Sequence, residues 1–435
     1  MEKEKSSTII KIAILAEEPF FWCSRKHYHK LILDGYTWKS NESTYTFQTS
    51  YLYDKDIIDG KLTPSRYDVL LIPGGGVGNN EALLKGLDFF RNVRKFKRNL
   101  REFVKNGGGI MGICGGAALI TDIKLGDNRK PTSITERLYQ KSSLGISAVS
   151  SRFKAVSFPL FYPFQYHHPE GIGNSAYAFS FAAGETIDGK HIMTTGCPLD
   201  IQINHDNPIF SDYDKNIRRM RWWAAQSLHI KEHAGRKVNI IARYPASDVS
   251  DHQQTRIHYW RYTGGLIGLF QAFLKAVTLK KQHHLNWRLL SLFTFYLAGE
   301  WEPTEKIVEL DMANQPCITT EIYPNENKAR IVLNMLHAEY LIWWGGHIVE
   351  QSTDELNCLG KGLHQWKDIN TLSDNLEKEL PYNWWILRRL IAWAAKIPDT
   401  DLPPIQKGII TDEMKEIILP NLFWDGSLFH QLKNI

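Results

Sequence analysis

Three short apolar runs separated by helical segments occupy the first 120 residues, and this alternation limits the folds open to the chain. The runs are IIKIAIL at residues 9–15, VLLI at 69–72 and GIMGI at 109–113. Strands that read as uninterrupted apolar runs are typical of parallel sheets, which helices cover on both faces. The alternation therefore predicts an α/β fold with a doubly wound, mostly parallel sheet.

The pattern changes beyond about residue 145, where short alternating segments broken by turn residues indicate an antiparallel extension of the sheet. Aromatic-rich stretches predict a helical insertion over residues 246–315, and the chain after residue 350 is predicted to be helical. We therefore expect an α/β domain over residues 1–349, interrupted by that insertion, and a helical extension over residues 350–435.

Charge and composition narrow the choice of partner and compartment. The 52 basic and 47 acidic residues give a net charge of +5, and the basic residues are scattered, which argues against nucleic acid. No apolar stretch is long enough to cross a bilayer and no signal peptide is visible, so we expect no membrane partner. Five widely spaced cysteines argue against a disulfide framework and predict a reducing, cytoplasmic location.

One cysteine directly follows the third apolar run. Cys114 lies between that strand and an apolar helical segment, within the sequence GICGG at residues 112–116. Glycines on both sides permit a sharp strand-to-helix turn that presents a side chain at the carboxyl edge of the sheet. The N–H groups of the following helix favour a thiolate there. The pattern is typical of a nucleophile elbow with cysteine as the nucleophile.

A glycine-rich loop, IPGGGVG at residues 72–78, ends the second apolar run. Because the carboxyl ends of parallel strands meet at one edge, we expect this loop to lie near Cys114. The backbone N–H of Gly75 or Gly76, together with that of Gly115, is our candidate oxyanion hole. A plain turn or a phosphate-binding loop is the alternative, but no Lys-Ser/Thr follows and the G-x-G-x-x-G spacing is not met.

Two His-x-Glu tripeptides compete to supply the base. His168 and Glu170 follow a proline-containing segment, which favours a loop or an edge strand. His337 and Glu339 follow RIVLNML, an apolar run that predicts a buried strand. A carboxylate two residues beyond a histidine orients its tautomer. We favour His337 as the group that moves the proton and Glu339 as its partner.

In this order, these motifs resemble the class I glutamine amidotransferase-like superfamily, closest to the group similar to the N-terminal domain of eukaryotic biotin-protein ligases. The matching segments are residues 72–78, 112–117, 201–210, 240–244 and 331–340. The resemblance covers roughly residues 9–345 without the insertion, and it implies a flavodoxin-like sheet and a Cys–His–Glu triad, carried onto Cys114, His337 and Glu339. Ala338 replaces the proline of the usual H-P-E, and Ala118 stands where glutamine-hydrolysing members carry Gln.

The leading hypothesis is a cysteine-dependent hydrolase or amidotransferase-like enzyme that acts on an amide or related acyl bond of a small molecule, without metal or cofactor. The alternative, which Ala118 favours, is a non-catalytic ligand-binding or regulatory module that retains the fold. A third hypothesis is a redox or carbonyl-stress protein that uses Cys114 alone and does not need His337. The insertion and the C-terminal helices offer surfaces for a homo-oligomer or a partner protein.

Other candidate residues are interpreted as structural. Cys23, His27 and His29 have a loose metal-like spacing, but the two histidines would face different sides of a helix, so we treat the trio as incidental. Cys317, inside a predicted strand, is expected to be a small buried hydrophobe. The Trp343–Trp344 pair beyond His337 is expected to pack helices, with stacking on a substrate as the alternative.

Overall fold

A computed structural model shows how these segments assemble. It describes residues 6–16, 26–40, 43–74, 90–125, 130, 143–153, 186–187, 190–191, 197–222, 227–233, 235–246, 256–262, 266–268, 270–271, 274, 301–309, 312–339 and 380–405. The helices bounded within these ranges are α1 (Lys26–Leu33), α2 (Asp54–Ile58), α3 (Phe90–Lys105), α4 (Gly115–Ile120) and α5 (Leu380–Ala394). None of these described helices has the length and apolar character needed to cross a membrane.

The strands in the described ranges form one large sheet and three small ones. In chain order they are β1 (Ser6–Leu15), β2 (Thr37–Lys39), β3 (Ser43–Leu52), β4 (Val69–Ile72), β5 (Gly109–Ile113), β6 (Asp122–Leu125), β7 (Val149–Phe153), β8 (Thr186–Ile187), β9 (Lys190–His191), β10 (Cys197–Ile203), β11 (Ile217–Trp222), β12 (Leu228–Ile230), β13 (Val238–Arg243), β14 (Arg256–Tyr262), β15 (Trp301–Glu309), β16 (Pro316–Ile322) and β17 (Arg330–Asn334). The large sheet has ten strands in the order β11-β10-β13-β16-β17-β5-β4-β1-β3-β2. A three-stranded sheet, β12-β7-β6, and the pairs β14-β15 and β8-β9 are separate from it.

The centre of the large sheet is parallel. Five neighbouring strands, β17, β5, β4, β1 and β3, pair in the same direction. From β17 outward, β16, β13, β10 and β11 alternate in direction, and β2 is antiparallel to β3 at the opposite edge. The prediction of a doubly wound, mostly parallel α/β sheet with an antiparallel extension is confirmed.

The apolar runs explain why the central strands form. Every residue of β4 and β5 is buried, as expected for strands that helices cover on both faces. The next strands, β16 and β17, form an antiparallel hairpin inside the large sheet, with pairs from Ile318–Asn334 to Ile322–Arg330. This places β17 beside β5, with Asn334 opposite Ile113.

The segment predicted as a helical insertion also contains strands. Within residues 246–315, β14 and β15 form an antiparallel pair, and helical residues are described only at 266–268, 270–271 and 274. The sequence RIHYWRY of β14 is rich in aromatic residues and alternates polar with apolar positions except at Tyr259–Trp260, where the pairing with β15 shifts register, and this pattern favours a strand. The helical prediction is based on the aromatic stretches that follow β14, and it does not take account of the two-residue alternation within β14.

The helix α5 packs onto the parallel part of the sheet. It contacts β4, β5 and β17, and it also contacts α1, so the two helices share one face. Trp384 and Trp385 of α5 are buried, and the Trp385 indole donates a hydrogen bond to the carbonyl of Pro403. Beyond the helix, the carbonyl of Asp401 accepts a hydrogen bond from Trp38 of β2. The predicted domain division at residue 350 stays a prediction, but this described part of the extension covers the sheet.

Candidate functional site

Cys114 occupies the turn between β5 and α4. Its φ of 47° and ψ of −112° lie in a region that residues other than glycine rarely adopt. The backbone on both sides holds it there, because the Cys114 N–H donates to the carbonyl of Asn334 at 2.7 Å and its carbonyl accepts from the N–H of Ala118 at 3.0 Å. The side chain stands at the carboxyl end of β5, as the sequence predicts for a nucleophile elbow.

The glycines around Cys114 are required by space. A Cβ atom on Gly116 would lie 2.2 Å from the carbonyl oxygen of Ile72 and 2.6 Å from that of Pro73. A Cβ atom on Gly112 would lie 2.5 Å from the backbone nitrogen of Ala117. Helix α4 therefore begins in direct contact with the end of β4 and folds back over β5. Two glycines of the GICGG sequence make this close approach possible.

His337 and Glu339 follow the neighbouring strand β17. The side chain of Asn334, the last residue of β17, accepts a hydrogen bond from the Leu336 N–H at 2.9 Å, which turns the chain as it leaves the strand. Nδ1 of His337 lies 2.8 Å from Oε1 of Glu339, and both side chains are fully buried. The carboxylate therefore fixes the orientation of the imidazole, so that Nε2 is the nitrogen available for chemistry.

The same imidazole faces Cys114. The Cys114 thiol lies close enough to this imidazole to contribute to the pKa of His337. Burial by itself would lower the pKa of His337, but the carboxylate of Glu339 and the interaction with Cys114 outweigh it and raise this pKa to about 9. A buried imidazole with this pKa carries a proton at neutral pH and compensates the charge of Glu339. The structure thus brings together the three residues proposed as a triad, in the order Cys114, His337, Glu339.

The candidate oxyanion hole is described in part. Gly115 is the first residue of α4, so its N–H lies at the amino end of a helix beside Cys114. The Ile72–Pro73 backbone at the start of the glycine-rich loop lies against Gly116, as described above. Gly75 and Gly76 themselves lie outside the described residues, so their part in an oxyanion hole stays a prediction.

His29 was missed as a site residue. Sequence reasoning grouped it with Cys23 and His27 as an incidental trio, yet His29 is fully buried and its Nε2 lies 3.9 Å from Oε1 of Glu339. A signal was present: His29, Ile32 and Leu33 share one face of α1 at the i, i+3 and i+4 spacing of a buried stripe, and all three are buried.

Some of the remaining predicted residues lie in the part of the chain that the structure describes, and others lie outside it. Cys317 is fully buried, as predicted, and burial raises the pKa of its thiol. Ala118 is buried in α4. Cys23, His168, Glu170, Trp343 and Trp344 lie outside the described residues. In the described part of the chain, no group of three or more His, Cys, Asp or Glu side chains is arranged to hold a metal ion.

Comparison with known proteins gives distant similarities to solved structures. No family model and no curated protein sequence matches the chain. Among solved structures, the chain is similar to a glutamine amidotransferase from Thermotoga maritima, with 10% identity, 91% of this chain and 100% of that chain covered, and a TM-score of 0.35. It is also similar to PurLQS from Thermotoga maritima (17% identity, 59% and 82% covered, TM-score 0.25) and to a ThuA-like protein from Bacteroides uniformis (10% identity, 85% and 95% covered, TM-score 0.26). TM-scores this low do not allow residues to be matched between the structures. The assignment of an α/β fold is therefore based on the strand order, and the candidate site is based on the distances given above.

Proposed function

We propose that the protein is a cysteine-dependent hydrolase or amidotransferase-like enzyme that cleaves an amide or a related acyl bond. The observation that carries the proposal is the buried His337–Glu339 pair, with its 2.8 Å contact, beside a cysteine held at positive φ. A cysteine that serves only to fill a core does not need a strained backbone or a protonated imidazole next to it. Strained residues and groups with shifted pKa values concentrate at functional sites.

In the proposed reaction, Sγ of Cys114 attacks the carbonyl carbon of the substrate as a thiolate, and His337 holds the proton that the thiol has lost. The carbonyl oxygen becomes an oxyanion, which the N–H of Gly115 and that of Gly75 or Gly76 stabilise. The C–N bond then breaks as His337 transfers its proton to the departing amine, which leaves a thioester on Cys114. A water molecule, deprotonated by His337, attacks the thioester, and its collapse releases the carboxylic acid and regenerates the thiol.

The proposal extends to substrate and setting. The substrate is a small-molecule amide or related acyl compound, the reaction uses no metal or cofactor, and the compartment is the reducing cytoplasm. We place the chain, on its motifs, near the biotin-protein ligase N-terminal-like group of the class I amidotransferase-like superfamily. Ala118 stands where glutamine-hydrolysing relatives carry Gln, so we propose an acyl substrate other than glutamine.

The first test is the alkylation rate of each cysteine by iodoacetamide at pH 7.5, followed by peptide mass spectrometry in wild type and His337→Asn. Cys317 serves as the internal reference, because it is fully buried and burial raises the pKa of its thiol. We expect Cys114 to react at least about 100-fold faster than Cys317, and His337→Asn to slow Cys114 at least about tenfold, since the thiolate is the nucleophile.

A second measurement follows the acyl step. An activated ester should add its acyl group to Cys114 in both proteins, and the acyl-enzyme should hydrolyse in wild type but persist in His337→Asn, because the second half-reaction needs the base. Equal alkylation of Cys114 and Cys317 would leave the non-catalytic binding module as the better account. Fast alkylation that does not depend on His337 would favour the redox protein instead.

A further inference from the structure

We propose that His29 is a positioning residue that holds the Glu339 carboxylate in place for His337; this inference rests on the proposed function of the Cys114 site. Nε2 of His29 lies 3.9 Å from Oε1 of Glu339, and that same oxygen accepts the hydrogen bond from Nδ1 of His337 at 2.8 Å. Two imidazoles therefore lie near a single carboxylate oxygen, one carried by α1 and the other by the segment that follows β17.

The position of His29 matters because the carboxylate beside it is buried. The side chains of His29, His337 and Glu339 are all fully buried, and a carboxylate removed from water loses several kcal/mol of hydration unless nearby donors replace it. At 3.9 Å, the imidazole of His29 is beyond hydrogen-bond length, so it acts on Glu339 through its dipole and by filling the space beside the carboxylate. An apolar side chain at this position would fill the space without the dipole.

The helix that carries His29 is itself fixed by the part of the chain that covers the sheet. Nε of Arg388, on α5, donates a hydrogen bond to the carbonyl of Ile32 near the end of α1 at 2.9 Å. The Arg388 guanidinium also lies over the ring of Tyr36, 3.9 Å from its centroid. Because α5 packs on β17 as well, one helix braces both α1 and the strand that precedes His337.

The experiment separates the polar role of His29 from its packing role. Gln places an N–H close to the position of Nε2 and Met has a similar length without a donor, so His29→Gln and His29→Met form a matched pair. The readouts are the pKa of His337, from the NMR titration of ¹³C-labelled histidine assigned with His337→Asn, and the alkylation rate of Cys114 at pH 7.5. Glu339→Gln serves as the reference for complete loss of the carboxylate.

We expect His29→Met to lower the pKa of His337 from about 9 by about one unit and to slow alkylation of Cys114 by up to about tenfold, whereas His29→Gln should stay close to wild type. A His337 pKa that is unchanged in His29→Met, or lowered equally in both variants, would overturn the positioning role. If Glu339→Gln and His337→Asn leave the alkylation rate unchanged, the proposed function fails and this inference fails with it. If those two slow the reaction and His29→Met does not, only this inference fails.

Discussion

At the scale of single residues, the site depends on a histidine that keeps its proton although it is fully buried. Desolvation disfavours the charged imidazole, and the ionised carboxylate of Glu339 at 2.8 Å favours it by more. The result is a neutral pair inside the protein. Removing one partner leaves the other charge without compensation, which is the costly case for a buried ion pair.

This pair makes stability depend on pH in a defined window. The pKa of His337 is about 9 in the folded protein against 6.5 ordinarily, so the folded state binds the proton more tightly. The stabilisation is therefore complete below about pH 6.5 and is lost as the pH rises through about 9; the difference corresponds to about 3 kcal/mol. We expect the gap in unfolding free energy between wild type and Glu339→Gln, measured by urea denaturation, to shrink by about that amount over this range.

A surface pair provides the control for this titration. Asp200 accepts two hydrogen bonds from Arg219, at 2.7 and 2.8 Å, so this pair joins a carboxylate to a guanidinium and contains no histidine. The gap between wild type and Asp200→Asn should stay constant over the same range. If the Glu339→Gln gap is equally constant, the raised pKa of His337 is contradicted.

At the scale of elements, the site depends on how closely α4 approaches β4 and β5. The helix begins at Gly115 and closes over the sheet within one turn, so the backbone of the elbow touches the Ile72–Pro73 backbone. Main-chain oxygens of a buried strand cannot rotate away as a flexible side chain can. The geometry of Cys114 is therefore a property of three packed elements and is not set by its own torsions alone.

Gly116→Ala tests this contact directly. Its Cβ would meet the Ile72 oxygen at 2.2 Å, so we expect a loss of about 3 kcal/mol in unfolding free energy, together with slower alkylation of Cys114. Gly60→Ala is the matched control, because Gly60 has a φ of +79° but no atom within 4 Å of the added Cβ, and it should cost about 1 kcal/mol. Similar losses in the two variants, with alkylation unchanged, would show that the contact is not critical.

At the scale of the whole molecule, the described part of the C-terminal segment is expected to unfold together with the sheet. Its helix α5 buries Trp384, Trp385 and Leu387 against the core, and Arg389 of the same helix binds Asp212 and the carbonyl of Pro208. Buried aromatic side chains contribute several kcal/mol each when their contacts are complete. A helix with such contacts is not expected to open independently of the strands beneath it.

Hydrogen exchange measures whether α5 opens independently of the sheet. We expect the amides of α5 to exchange with the same opening free energy as those of β5 and β17, because the three elements unfold as one cooperative unit. Peptides from the edge strand β2 should exchange faster and serve as the comparison for local opening. Exchange from α5 that is easier by more than about 2 kcal/mol than from β5 would identify the extension as an independent unit.

The sequence alone determined the elements whose signal is local. Apolar runs predicted β4, β5 and β17, because a strand that is buried on both faces has apolar residues at most of its positions. Glycines around Cys114 and the His-x-Glu spacing after β17 predicted which side chains would meet at the sheet edge. Their catalytic roles remain the prediction that the alkylation experiments test.

Only the tertiary structure decided which distant elements touch. The approach of His29 to Glu339 and the bracing of α1 by Arg388 join residues from opposite ends of the chain. The β14–β15 pair joins two strands across the insertion. Such contacts depend on how whole elements pack against one another. That packing is the result of many side-chain contacts between distant segments, which a local sequence pattern does not contain. For this reason, the sequence revealed the parallel sheet and the candidate Cys–His–Glu residues, and it held a signal that His29 is buried, but packing alone showed that this second histidine lies beside Glu339.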